Sequence, residues 1–254
     1  PSMTLSLVMT FVAWFVGGFA LIVTGMGGPL LALPIMLFFV ELPVIVVTAV
    51  AAGLMADIPL IWRFWRHVDW KRNWLLVLGS LPGVVLGALT LKFAPLFWLQ
   101  LGLGLLLLLF VVWQLLVAAR AKHGAGSVAK VPESVPGLLM SGAASGFFSG
   151  SVGLGGPPVA MHAYRTGWDK DMARGVFGVF FGLSLSVTVL VYLANGLFTP
   201  QACTHILAAA PGVALGSLAG LPVASRLPQG LFQRFMLLVV FLGGVCLLYK
   251  AFFM

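Results

Sequence analysis

The sequence predicts an all-α integral membrane protein built from two inverted repeats. Each repeat is a broken-helix hairpin followed by three transmembrane helices. Three observations carry this: an apolar composition, a motif that occurs twice, and a lopsided distribution of basic residues. The 254-residue chain is 61% hydrophobic and only 8% charged, against about 25% charged in soluble domains. Its mean hydropathy is +1.12. A bilayer-crossing helix needs about 20 apolar residues. Stretches 5–23, 74–91, 96–119, 175–194 and 202–225 carry no charge, and 42–62 carries one, Asp57. No strand-like alternation with turns recurs, which argues against a lipid-facing β-barrel.

The duplicated motif orders the chain. Gly25-Met26-Gly27-Gly28-Pro29 returns in the second half as Gly153-Leu154-Gly155-Gly156-Pro157. Pro82-Gly83-Val84-Val85-Leu86-Gly87 returns in the same order as Pro211-Gly212-Val213-Ala214-Leu215-Gly216, and the two offsets differ by a single position. Residues 95–100 and 228–233 form a weaker third pair. A nearly constant offset means two copies of one unit, the architecture of secondary transporters whose site lies where the copies meet. The expected repeats are residues 1–120 and 134–254, joined by a polar cytoplasmic linker at 121–133. The expected elements are 5–24, 28–40, 43–62, 74–91 and 96–119, then 135–151, 156–164, 172–194, 202–220 and 230–250.

The second element of each repeat is too short to span. Residues 28–40 would reach roughly 20 Å, against a hydrocarbon core of about 30 Å. Elements one and two therefore read as a hairpin with its tip inside the membrane, buried in protein or lining a wet cavity. The basic residues set the orientation. With a hairpin and three spans per repeat, the second copy runs upside down. Twelve of the 14 Lys and Arg then share one side, with only Lys92 and Lys250 opposite. Four ordinary spans per repeat would split them 8 to 6. Cytoplasmic retention of Lys and Arg favours the inverted arrangement and places both chain ends outside. The net charge of +8 is read in the same way, not as a nucleic-acid footprint. The first helix has no basic residue ahead of it and reads as a retained span rather than a signal peptide.

The two Gly-x-Gly-Gly-Pro tips carry the chemistry. Glycine permits tight turns and positive φ, and proline suits the first helical turn. The result is a helix N-terminus with free N–H groups and a partial positive charge, suited to an anion. The expected binding set is Gly25, Gly27, Gly28, Pro29, Gly153, Gly155, Gly156 and Pro157, with hydroxyls from Ser149 and Ser151 and further contacts from His162 and Arg174. The alternative for the glycines is close helix packing, which Gly142, Gly146 and Gly150 fit at four-residue spacing. The serines have the alternative of bonding back to their own helices. Arg174 has the alternative of a plain interfacial anchor. Asp57 is the one acid within an apolar stretch, and it and His162 are candidates to couple transport to protons. Pairing of Asp57 with Arg63 or Arg66 is the other reading. Phe147, Phe148, Phe177, Phe180 and Phe181 lie near the second tip, where they either pack or stack on an aromatic substrate. Trp62, Trp65, Trp70 and Trp74 read as an interfacial belt.

No nucleophile–base pattern or phosphate-loop lysine is present, so no enzyme is expected. Cys203 and Cys246 have no metal-ligand spacing and read as packing residues. No cofactor, metal or nucleic-acid partner is expected, and the oligomeric state is left open. The expected partners are a small anion, protons and membrane lipid.

The motifs also resemble a known family. Gly25-Met26-Gly27-Gly28-Pro29 with Leu33-Pro34, His67-Val68-Asp69-Trp70, Gly153-Leu154-Gly155-Gly156-Pro157-Pro158, Ala173-Arg174-Gly175 and the paired Pro-Gly-x-x-Leu-Gly are similar to the sulfite exporter TauE/SafE family, also called the toluenesulfonate uptake permease family (TSUP). The resemblance covers nearly the whole chain. It implies a bacterial inner-membrane carrier of sulfur-containing anions, with sulfite and organosulfonates among the family's substrates and both export and uptake represented. The phenylalanines near the second tip lean the expectation toward uptake of an organic, aromatic sulfonate by alternating access. Sulfite export and an anion channel are the alternatives.

Overall fold

The structure is a computed structural model that describes residues 2–24, 28–122, 131–223 and 229–253. Among the described residues there are ten α-helices: α1 (Met3–Thr24), α2 (Gly28–Met36), α3 (Leu42–Phe64), α4 (Trp70–Phe93), α5 (Leu96–Lys122), α6 (Val135–Val152), α7 (Gly156–Thr166), α8 (Lys170–Ala194), α9 (Pro200–Val223) and α10 (Gln229–Phe253). Six of them, α1, α3, α4, α5, α8 and α9, are long and apolar enough to cross a membrane. The order of elements is the expected one. Two boundaries move for physical reasons. Helix α4 begins at Trp70 because Asp69 caps it, accepting from the Arg72 N–H, so the charged residues start a helix instead of ending a loop. Helix α2 stops at Met36, and Lys250 of α10 donates to the Leu37 carbonyl just beyond it at 2.6 Å. Its nine residues reach only about 13.5 Å.

Glycine decides how the helices pair. On α4, a side chain at Gly79, Gly83 or Gly87 would strike the carbonyls of Leu139, Ala143 and Phe147 on α6. On α6, Gly142, Gly146 and Gly150 face the carbonyls of Leu76, Ser80 and Val84 in return. Two small-residue ridges thus bring the backbones into contact, as in membrane helices that associate without a hydrophobic drive. Gly212 and Gly216 of α9 meet α1 at the Phe11 and Phe15 carbonyls in the same way. Residue numbers rise together along both pairs, so α4 with α6, and α9 with α1, run parallel.

The helices at matching positions of the duplicated sequence do the opposite. Helix α3 packs on α8 with Gly53 near Leu185 and Ile61 near Gly182. Helix α5 packs on α10 with Phe97 5.7 Å from Phe252 between ring centroids and Gly104 against Leu248. In each pair, numbers rise along one helix as they fall along the other. The main core lies between these elements and includes Trp14, Leu31, Leu33, Met36, Ile45, Leu103, Leu107 and Leu247. The buried Tyr192 hydroxyl donates to the Gly150 carbonyl at 2.6 Å, whereas the Trp14 indole N–H and the Thr48, Ser184 and Ser217 hydroxyls are buried without a partner among the described residues. Asn195 turns back on its own helix, donating to the Val191 carbonyl. The four belt tryptophans are all exposed. Cys203 is exposed too, so it is not the packing residue expected, whereas Cys246 is half-buried.

Candidate functional site

The second tip is built from the end of α6 and the start of α7. Helix α6 stops because Gly153 takes the left-handed conformation, φ 73°, which glycine adopts without a Cβ penalty. Its N–H donates to the Ser149 carbonyl at 3.0 Å, and the Leu154 N–H donates to the Phe148 carbonyl at 3.2 Å. The chain then turns so tightly that a Cβ on Gly155 would sit 2.9 Å from the Ser145 carbonyl oxygen. The Ser145 hydroxyl donates to the Gly155 carbonyl at 2.6 Å and ties the tip to α6. Gly155 caps α7, and proline occupies its first turn. Pro157 and Pro158 carry no N–H, so the donors that remain at this helix start are the Gly155 and Gly156 N–H groups.

At the first tip, α1 and α2 approach closely: a Cβ on Gly17 would lie 2.8 Å from the Gly28 carbonyl oxygen. Gly25 and Gly27 lie outside the described residues. Gly28 is buried and Pro29 half-buried.

Both tips open on one cavity of about 60 Å³. Its wall includes Leu21, Pro29 and Leu30 from the first hairpin and Ser149, Gly153, Leu154, Gly155 and Gly156 from the second. Ala49, Gly53, Ala56 and Asp57 of α3 and Phe181 and Leu185 of α8 complete it. The cavity therefore lies level with the middle of α3. Asp57 is 5% exposed and lies on the cavity wall. Among the described residues lining it there is no Lys, Arg or His. The Ser149 hydroxyl is buried and has no hydrogen-bond partner.

Several expected residues lie elsewhere. Ser151 bonds its hydroxyl to the Phe147 carbonyl at 2.7 Å and is not on the cavity wall. Pro157 is buried behind the tip. His162 sits near the far end of α7, packed edge-on to Trp168 at 5.9 Å. Burial holds the His162 pKa below the ordinary histidine value. Glu133 opposes that shift, while Arg165 and Arg72 add to it. Arg174 is half-buried in α8, also away from the cavity. Of the five phenylalanines, only Phe181 lines the cavity. Phe177 and Phe180 pack in a separate cluster with Leu76 and Val159. Sequence reasoning passed over Gly53, although Gly53 and Gly182 share the offset of the Pro-Gly-x-x-Leu-Gly pair. It also passed over Leu21, which matches Ser149 at the offset of the two tips.

This arrangement of glycine-proline helix starts around a buried cavity bears on what the chain is related to. The profile of the sulfite exporter TauE/SafE family matches residues 10–247. The chain belongs to that family. TauE/SafE proteins are transporters rather than enzymes, and with six spanning-length helices this is a multi-pass protein of the inner membrane. A relative from Cupriavidus necator H16, described as a probable sulfite/organosulfonate exporter TauE, is 27% identical over 161 residues. The alignment covers 61% of this chain and 59% of the relative. No solved structure matches.

Proposed function

We propose that the protein is a secondary carrier of sulfonate-type anions working by alternating access, with the anionic head held between the two Gly-Gly-Pro tips. The observation that carries this reading is the unpartnered Ser149 hydroxyl, buried in a cavity that both tips line. A buried hydroxyl without a partner is costly, and an oxyanion would satisfy it together with the Gly155 and Gly156 N–H groups. The family and the relative's printed name support a sulfur anion as cargo.

The carrier is two inverted repeats, 1–120 and 134–254, joined by the linker at 121–133. In support, the matching helices α3 and α8, and α5 and α10, run antiparallel. An inverted pair related by an axis in the membrane plane requires this.

Asp57 carries the coupling proton. An ionised carboxylate and an anion in one small cavity without a cation repel strongly in a low-dielectric surrounding. The anion therefore binds when Asp57 is neutral, and one proton accompanies it. The membrane lipid partner follows from the spans.

A second reading has its own support. The cavity is much smaller than the roughly 300–1,000 Å³ of sites that enclose drug-sized ligands. Sulfite alone would fill it, and the relative's name includes sulfite export. Binding titrations with sulfite, methanesulfonate and toluenesulfonate on the purified protein separate the two. Tighter binding of a sulfonate supports the organosulfonate carrier, and binding of sulfite alone supports the inorganic exporter. Ion flux without saturation or counterflow would reject a carrier in favour of a channel.

A further inference from the structure

The molecule holds a second, larger cavity at the opposite end from Arg72. It measures about 970 Å³ and is lined by the first turns of α1, α3, α5 and α9 and by the ends of α2 and α10. Nothing in the tip site uses it. We infer that this vestibule is a binding site for an organic anion with an apolar body, whose charged head is held by Lys250, with the His205 ring beside it. The inference deepens the carrier reading and rests on it for the fate of the anion, though not for binding.

Four features support it. The volume is that of a site enclosing a whole small organic molecule, unlike the tip cavity. One wall is apolar, with Leu37, Phe38, Leu42 and Leu96. On the polar side, Lys250 reaches in from α10 and donates to the Leu37 carbonyl at 2.6 Å. A carbonyl takes one of three ammonium donors and none of the charge, and among the described residues Lys250 has no carboxylate partner.

His205 is the fourth feature. It is 1% exposed, and its Nδ1 lies 2.8 Å from the Thr10 hydroxyl oxygen. That hydroxyl already donates to the Ser6 carbonyl at 2.8 Å, so the ring must donate Nδ1–H to it. The tautomer is thereby fixed, and Nε2 is left to accept a proton or, once protonated, to donate to an anion. Gln100 and Gln201 add neutral donors on the same wall, where the Thr204 hydroxyl already donates to the Gln201 carbonyl at 2.8 Å. Glu41 is the acid at the rim and biases the head toward the Lys250 side.

The test is calorimetric titration of the purified full chain with toluenesulfonate and with methanesulfonate. The variants are Lys250→Met, Thr204→Trp, which narrows the vestibule, and Ser149→Ala at the tip. Lys250→Met and Thr204→Trp are expected to weaken toluenesulfonate binding about tenfold or more while methanesulfonate affinity stays within about threefold. Ser149→Ala is expected to do the reverse. Methanesulfonate binding also reports that each vestibule variant is folded. The proposal is overturned if wild type does not bind toluenesulfonate, or if both vestibule variants bind it like wild type. Loss of toluenesulfonate binding in Ser149→Ala alone overturns it too, because the whole ligand then sits at the tip. The tip reading fails separately, if methanesulfonate binding does not respond to Ser149→Ala.

Discussion

Ser149 and Ser151 show how much one helical position decides. They stand two positions apart on α6, so they point to nearly opposite sides of the helix. Ser149 faces the cavity unpartnered, and Ser151 bonds back to its own helix. Ser149→Ala should leave the melting temperature of the free protein unchanged or slightly raised, since an unsatisfied buried hydroxyl is removed. It should weaken sulfite and methanesulfonate binding about tenfold or more, the loss of one hydrogen bond to a charged group. Equal affinity would take Ser149 out of the site. Gly153→Ala tests the turn itself: at φ 73° the cost is about 1–2 kcal/mol of stability, read by thermal unfolding. His162 gives a pH prediction. Its folded pKa is lowered by burial, so the folded state disfavours its charged form. That penalty is absent above the unfolded value of about 6.5 and grows as pH falls below it. His162→Gln should therefore flatten the acid side of the stability profile below about pH 6.5 and leave anion affinity unchanged. The glycines of the second tip, Pro29 and Asp57 were legible because duplication or an isolated charge marked them. Ser151 and His162 were placed by nearness in sequence, which ignores helix phase and the length of α7, and Arg174 by its charge at the start of α8.

At the scale of elements, the glycine ridges of α4 and α6 carry the packing. Gly83→Leu drives a side chain into the Ala143 carbonyl and should cost at least the ~1–3 kcal/mol of an overpacked contact, with loss of folded protein after extraction. Gly102→Ala is the control, because nothing lies within 4 Å of its Cβ position, and the yield should be unchanged. The α6 ridge was visible in the sequence as four-residue spacing, but its partner was not. Which helix a ridge meets depends on contacts between segments far apart along the chain. The same holds for the clasp at the basic end. Glu133 accepts from Arg72 at 2.6 Å and from the Trp168 indole at 2.6 Å, while Arg72 also pairs with Asp69 at 2.7 Å. Glu133, Arg72 and Trp168 each read as ordinary loop or boundary positions in the sequence. Together they tie the linker's end to α4 and to the α7–α8 turn.

In the whole molecule, duplication, an internal cavity and one buried acid belong together. The ten elements and their order were legible because hydropathy and the repeated motif report on length and symmetry. Cavity size was not, since it depends on how far Leu21, Leu185 and Phe181 reach into the space between the tips. Coupling belongs to this scale. If anion binding takes up a proton at Asp57, affinity in wild type should fall as pH rises, by up to about tenfold per pH unit once Asp57 ionises. Asp57→Asn should bind the anion with little dependence on pH, and proton movement should no longer accompany transport. A wild-type affinity that is flat across the neutral range and to either side of it would remove Asp57 from the mechanism.

Whether the two tips hold the anion between them is decided by thermal stabilisation of the purified protein by sulfite and methanesulfonate, in wild type, Ser149→Ala and Gly156→Leu. A ligand at about 100 times its Kd should stabilise wild type by about 2.7 kcal/mol. A clear upward shift is expected in wild type, a much smaller one in Ser149→Ala, and none in Gly156→Leu. Equal shifts in all three proteins would contradict the tip site and place the anion elsewhere in the fold.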